Sequence, residues 1–171
     1  MAKTKRVLIP TDFTVGSLQI VFDYLAQSAD EPVDVVLVCG QSISDSISEL
    51  LGFSKDDYLA KVQSSDFLKA CQLLRARFEH KLVDLYADVI YGSQDRYIRN
   101  YLKGGRIDEV VMPYAYTFSK TDKTQEVMRA IYRNIRIETQ KLVHIDTVNT
   151  HEGELDKVDH LFFRKGWNVT Y

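Results

Sequence analysis

Arg6-Val7-Leu8-Ile9-Pro10-Thr11-Asp12-Phe13-Thr14 is the stretch on which the reading of this chain turns. Its apolar run is closed by Pro-Thr-Asp, and an amphipathic helical pattern begins within three residues. A short continuous apolar run bounded by turn residues reads as a strand buried on both faces. In a doubly wound sheet a ligand crevice opens at the carboxyl end of such a strand. A Thr and an Asp placed there can hydrogen-bond a sugar or a base, and Pro10 stiffens the exit.

The elements that follow keep the same alternation. Leu18, Val21, Phe22, Leu25 and Ala29 recur at helical spacing, with Gln19, Asp23 and Gln27 on the opposite side, so residues 15–29 read as an amphipathic helix. Asp30-Glu31-Pro32 ends it, because the residue before Pro avoids helical geometry. Val33 to Cys39 reads as a second strand closed by Gly40. Ile43, Ile47, Leu50 and Leu51 suggest a helix ended by Gly52. Leu59, Val62, Cys71, Leu74 and Phe78 suggest a longer one, with Ser54 and Asp57 as competing caps. Leu85 to Tyr91 is a third strand ended by Gly92. A helix over 94–103 presents Ile98, Tyr101 and Leu102 inward, and Gly104-Gly105 would supply the left-handed residue at its end. Ile107 to Met112 is a fourth strand. A polar segment, Tyr114 to Thr124, leads to a helix over about 123–138 with Val127, Met128, Ile131 and Ile135 on one stripe, and Leu142 to Ile145 is a fifth strand. Strand and helix alternate with crossovers long enough for parallel pairing, so the expected class is α/β.

Composition is that of an ordinary globular chain: 171 residues, 45% hydrophobic and 27% charged, enough for one domain with a full core. The balance of 22 basic and 24 acidic side chains gives net charge −2, which offers no electrostatic footprint for DNA or RNA. Cys39 and Cys71 are the only cysteines and read as reduced thiols. The apolar run after the basic start is too short for a signal-peptide core or a membrane span, so the expectation is a cytoplasmic protein with no membrane partner. Residues 1–146 form the expected domain. Residues 147–171 form a tail with a short amphipathic helix, carrying Phe162, Phe163, Trp167 and Tyr171; it is expected to dock on its own domain or on a partner subunit.

Val7-Leu8-Ile9-Pro10-Thr11-Asp12-Phe13-Thr14, followed by a helix and Val33-Asp34-Val35-Val36-Leu37-Val38, resembles the start of a universal stress protein. Val89-Ile90-Tyr91-Gly92, a helix and Asp108-Glu109-Val110-Val111-Met112 are similar to the family's third and fourth strands. The resemblance covers roughly residues 5–145. It implies a five-stranded parallel sheet of the adenine-nucleotide α-hydrolase-like, Rossmann-like type, order 3-2-1-4-5, with helices on both faces. It also implies dimerisation, in many members through the edge of the fifth strand. In ATP-binding members an Asp matching Asp12 lies near the adenosine. Those members also carry G-x-x-G, nine residues and G-[S/T] after the fourth strand, as a cradle for phosphates.

That cradle is missing here. After Met112 the chain reads Pro113-Tyr114-Ala115-Tyr116-Thr117-Phe118-Ser119-Lys120-Thr121-Asp122-Lys123-Thr124, and no glycine occurs between Gly105 and Gly153. A phosphate loop needs backbone N–H groups aimed at the ligand and room for close approach. Asp12 can therefore be read as a ribose or base contact, or as the cap of the following turn. The segment Ser119 to Thr124 is either an anion site before a helix or a solvated loop whose Thr121 or Asp122 caps that helix. Arg129, Arg133 and Arg136 share one face, as a grip for an acidic partner or as a solvated row. His80, His144, His151 and His160 show no two-ligand spacing, and neither a G-x-S-x-G elbow nor a Cys-His signature occurs, so neither a metal site nor an enzyme is expected.

The expected protein is thus a universal-stress-protein-like homodimer that acts by binding or interaction, without ATP hydrolysis and without a cofactor. The competing class is an adenine-nucleotide sensor, for ATP or a related nucleotide. Its contacts would be Thr11, Asp12, Cys39, Gly40 and Met112 at the strand ends, with Ser119 and Thr121 in the 119–124 loop for phosphate. Slow nucleotide hydrolysis is a third option.

Overall fold

A computed structural model describes residues 3–41, 55–116, 118, 123–135 and 140–148. They form β1 (Lys5–Pro10), a 3-10 turn (Val15–Ser17), α1 (Leu18–Gln27), β2 (Val33–Gln41), α2 (Lys55–Val62) and α3 (Ser65–Arg77). β3 (Leu82–Tyr91), α4 (Asp95–Gly104), β4 (Glu109–Ala115), α5 (Thr124–Ile135) and β5 (Lys141–Val148) follow. The five strands make one parallel sheet in the order β3-β2-β1-β4-β5. The helix read over residues 43–52, Arg136 and the tail beyond Val148 lie outside the described residues.

β1 reads as continuously apolar because each of its faces meets a separate core. Val7 and Ile9 join a core shared with α1 and α3, whereas Leu8 joins one shared with α4 and α5. All three side chains are fully buried, each worth about 1.5–3 kcal/mol of apolar burial. The stripe on α5 is as its spacing requires: Val127, Met128, Ile131 and Ile135 are all buried.

Several local readings need correction. Gln19 is buried, not turned outward; its amide is spent on Asp23 Oδ1 at 2.8 Å, one helical turn on, which lets it leave water. β2 does not stop at Gly40 but runs to Gln41. The long helix expected before Phe78 is two helices: Asp57 lies inside the first of them, Ser54 lies outside the described residues, and Ser64 breaks the run and accepts a hydrogen bond from Phe67 N. At the end of α4 the left-handed residue is Arg106, at φ 51°, while Gly105 keeps φ −75°. Ile107 N bonds Leu102 O and Arg106 N bonds Lys103 O. This is a Schellman closure with an arginine at the position glycine usually holds.

β4 continues through Pro113 to Ala115. A proline inside a sheet normally forfeits a ladder bond. Here β1 pairs with β4 only at Val7–Glu109 and Leu8–Val110, then the strands part, while Pro113 stays opposite Ile145 on β5. The missing N–H therefore falls where no β1 partner remains. At the other side of the sheet, Val83 is an extra residue between Leu82 and Asp84, so Asp34 on β2 faces Asp84. The Arg75 guanidinium donates to the Leu85 carbonyl on that strand.

Candidate functional site

The parting of β1 from β4 is the switch point of the sheet, where a doubly wound fold places its ligand crevice. Thr11 and Asp12 leave β1 there, and Cys39 and Gly40 lie on the neighbouring β2. The structure brings these four together. Met112, on β4, is half-buried against the α4–α5 core, whereas the Cys39 thiol is buried in the opposite core and lines no open face. Ser119 and Thr121 lie outside the described residues.

The polar groups at this point are spent on the chain itself. Thr11 N donates to Val38 O, and Thr11 Oγ1 accepts from Phe13 N at 3.0 Å. Ser17 Oγ donates to Thr14 O, so the short contact of 2.7 Å between the Thr11 and Ser17 hydroxyls has Thr11 as donor. Asp12 Oδ1 accepts both Thr14 N and Thr14 Oγ1, the latter at 2.6 Å. This is an Asx turn, the capping role open to Asp12 from its position. It holds Phe13 at φ 63°, a strained conformation for an aromatic residue, with its ring edge-on to Phe67.

A relay then runs to the chain beyond β4. Because the Thr14 hydroxyl proton goes to Asp12, Tyr116 OH is the donor in its 3.1 Å contact with Thr14 Oγ1. Tyr116 and Phe118 are both buried, with ring centroids 5.0 Å apart, in the same core as Phe13. The polar segment read over 114–124 thus carries two core residues. Their two-residue spacing after Tyr114 was the available signal.

Thr124, the first residue of α5, was not singled out by the sequence. It is buried, accepts from Gly40 N at 3.0 Å and donates to Thr11 O at 3.2 Å. Lys123 N donates to Gly40 O at 2.9 Å. The approach is so close that a Cβ on Gly40 would stand 2.5 Å from Lys123 O. The amide at the entrance of α5, which could otherwise meet an anion, is thereby taken by β2.

At the opposite end of the sheet, a cavity of about 420 Å³ lies beneath the end of α1. Glu109 is buried there, taking Tyr24 OH at 2.7 Å and Lys5 Nζ at 3.1 Å. Burial, and then this carboxylate, push the Tyr24 hydroxyl well above its ordinary pKa. Lys5 also pairs with Glu31, so the carboxylates of this cavity are answered from within. Of the arginine row, Arg133 grips Asp95, and buried Asn134 donates to the same carboxylate at 2.9 Å. Among the described residues no group of three metal-ligating side chains occurs, and no helix is long and apolar enough to cross a membrane.

No protein-family model and no curated protein sequence matches this chain. Solved structures do match. The hypothetical protein PH0823 superposes with a TM-score of 0.51 at 16% identity, over 86% of this chain and 99% of its own. A universal stress protein family member from Burkholderia pseudomallei gives 0.49 at 13%, over 82% and 95% of the two chains. One from Arabidopsis thaliana with AMP bound gives 0.46 at 13%, over 90% and 99%. At such identities the likeness is one of fold. The chain is an α/β protein with five parallel strands in the order 3-2-1-4-5, a fold it shares with PH0823.

Proposed function

We propose that this chain is a binding or interaction protein built on the universal-stress-protein-like fold, and that its switch-point crevice is not an ATP site. One observation supports this reading above others: the backbone groups of Thr11 and Gly40 are spent on Thr124 and Lys123 of α5's entrance. A triphosphate is held largely by backbone N–H groups and a helix N-terminus. Each absent charge-assisted bond costs about 1.5–3 kcal/mol, so two of them weaken binding roughly a hundredfold or more. Lys120 and Lys123 recover little, being flexible point charges.

Two measurements test the reading. The purified protein, denatured and passed over an ion-exchange column, should release no nucleotide. Calorimetric titration should show ATP binding no tighter than adenosine. Micromolar ATP affinity that drops sharply in Lys120→Ala or Thr121→Ala would overturn the proposal in favour of an adenine-nucleotide sensor. That second reading has its own support in the convergence of Thr11, Asp12 and the start of α5 at the switch point.

The same reading makes the chain a homodimer paired at β5. Among the described residues this strand ends the sheet, and a terminal strand offers backbone donors and acceptors to another copy. Light scattering at micromolar concentration should give the dimer mass; a monomer mass would sink the assignment.

A further inference from the structure

A groove of about 280 Å³ lies beside β3, floored by Val36 and Ile107 and walled by Tyr86 and Tyr101. Asp88 opens into it, held by Val89 N at 2.9 Å and Tyr101 OH at 2.8 Å, with Lys55 Nζ across from it at 2.6 Å. Asp84 precedes Tyr86 on the same face, and the bulge at Val83 sets it directly opposite Asp34. Two carboxylates in register on neighbouring strands repel each other. Arg6, next in the row beyond Asp34, gives its guanidinium to Gly105 O, which also lines the groove, so one cation stands at the β1 side and the unanswered carboxylates are those toward β3. Among the described residues neither Asp34 nor Asp84 forms an ion pair.

The groove is thus aromatic inside and acidic at one rim. The chain itself contains the complementary sequence, Phe162-Phe163-Arg164-Lys165-Gly166-Trp167. We propose that the groove beside β3 receives this segment of the same chain, its aromatic rings against Tyr86 and Tyr101 and its two cations facing Asp34 and Asp84. Reach is sufficient. The 14 steps from Val148 to Phe162 span up to about 45 Å when extended. The five strands set β5 and β3 about 19 Å apart at ordinary strand spacing, and Val148 stands about 18 Å further along the strands than the level of Val36 and Tyr86, so the direct span is about 26 Å. A tethered segment also meets the groove at an effective concentration on the order of millimolar, ahead of any foreign peptide. The cavity under α1 does not compete for the cations, because Lys5 and Tyr24 already answer Glu109.

Trp167 is the only tryptophan, so its fluorescence in the full-length chain reports the tail alone. The expected result is blue-shifted emission, poorly quenched by acrylamide, at every protein concentration. Arg164→Glu with Lys165→Glu should shift it to the red, toward the emission of the unfolded chain, and so should Asp84→Lys. Combining Asp84→Lys with Arg164→Glu should restore protection. Circular dichroism of each variant checks that the domain is folded, and Asp84→Asn serves as the milder change if the lysine variant is not. Solvent-like emission from the unaltered chain would overturn the proposal. So would protection indifferent to both the Asp84 and the tail variants, or protection that appears only as protein concentration rises, which would make a second copy the donor of the segment.

Discussion

The Thr124 hydroxyl and the Gly40 N–H meet at 3.0 Å across 84 positions of sequence, and this bond fastens α5 to β2 at the switch point. The same hydroxyl donates to Thr11 O, so one side chain joins three elements. Thr124→Val keeps the shape but leaves a buried donor and acceptor unmet. The expected loss is about 1–3 kcal/mol, read as a lower urea midpoint with an unchanged slope. Thr124→Ser should retain most of the stability. Gly40→Ala drives a Cβ into Lys123 O and should cost the upper end of about 1–3 kcal/mol through overpacking.

Arg106 closes α4 in a left-handed conformation with its side chain exposed. A non-glycine residue there costs about 1–2 kcal/mol, and glycine gives back about 0.5–1 kcal/mol through the freedom of the unfolded chain. Arg106→Gly should therefore stabilise the protein by about 0.5–1 kcal/mol, by the difference of those two effects. Thermal unfolding decides the matter; a midpoint below that of the unaltered chain would refute the account of this turn.

Asp95 sits where Asn134 and then Arg133 hydrogen-bond its carboxylate, and these contacts hold its pKa below the ordinary value of 3.8. A carboxyl depressed in the folded state contributes stability that is complete above the unfolded pKa. That contribution is lost as pH falls through the folded value. Stability of the unaltered protein should fall with pH below about 4, and the slope should be shallower in Asp95→Asn. Denaturant titrations at several pH values between about 5 and 2 make the comparison; identical slopes would remove Asp95 from the acid response.

The parts of this fold legible in the sequence are those whose partners are local or whose pattern is strong. Val7-Leu8-Ile9 announces a strand buried on both sides because the run is short, continuously apolar and closed at once by Pro10, Thr11 and Asp12, which a buried helix segment would not be. Tertiary facts were harder to read. Whether Pro113 ends β4 depends on where β1 departs, and no local signal records that. The break at Ser64, by contrast, falls in the polar run Gln63-Ser64-Ser65-Asp66, which interrupts the apolar spacing between Val62 and Phe67 and is the local signal of a second helix start. At the end of α4, glycine was the natural choice for the left-handed residue, yet the helix runs one residue further and passes that role to Arg106. At the candidate site, Thr11, Asp12 and Gly40 were placed by motif. Thr124 was not, since its partners lie 84 and 113 positions away.

The extra residue at Val83 gives the sheet a polarity. Its two outer strands are not interchangeable surfaces for growth. On β3 an incoming strand would meet a bulge, an exposed carboxylate at Asp84 and the Arg75 guanidinium already seated on Leu85 O. Repeated addition of β5 of one molecule to β3 of the next, the head-to-tail pattern that yields open fibres, would have to displace all three. Two copies paired at β5, as proposed above, would leave β3 as the outer edge at both ends, where these three features oppose further addition.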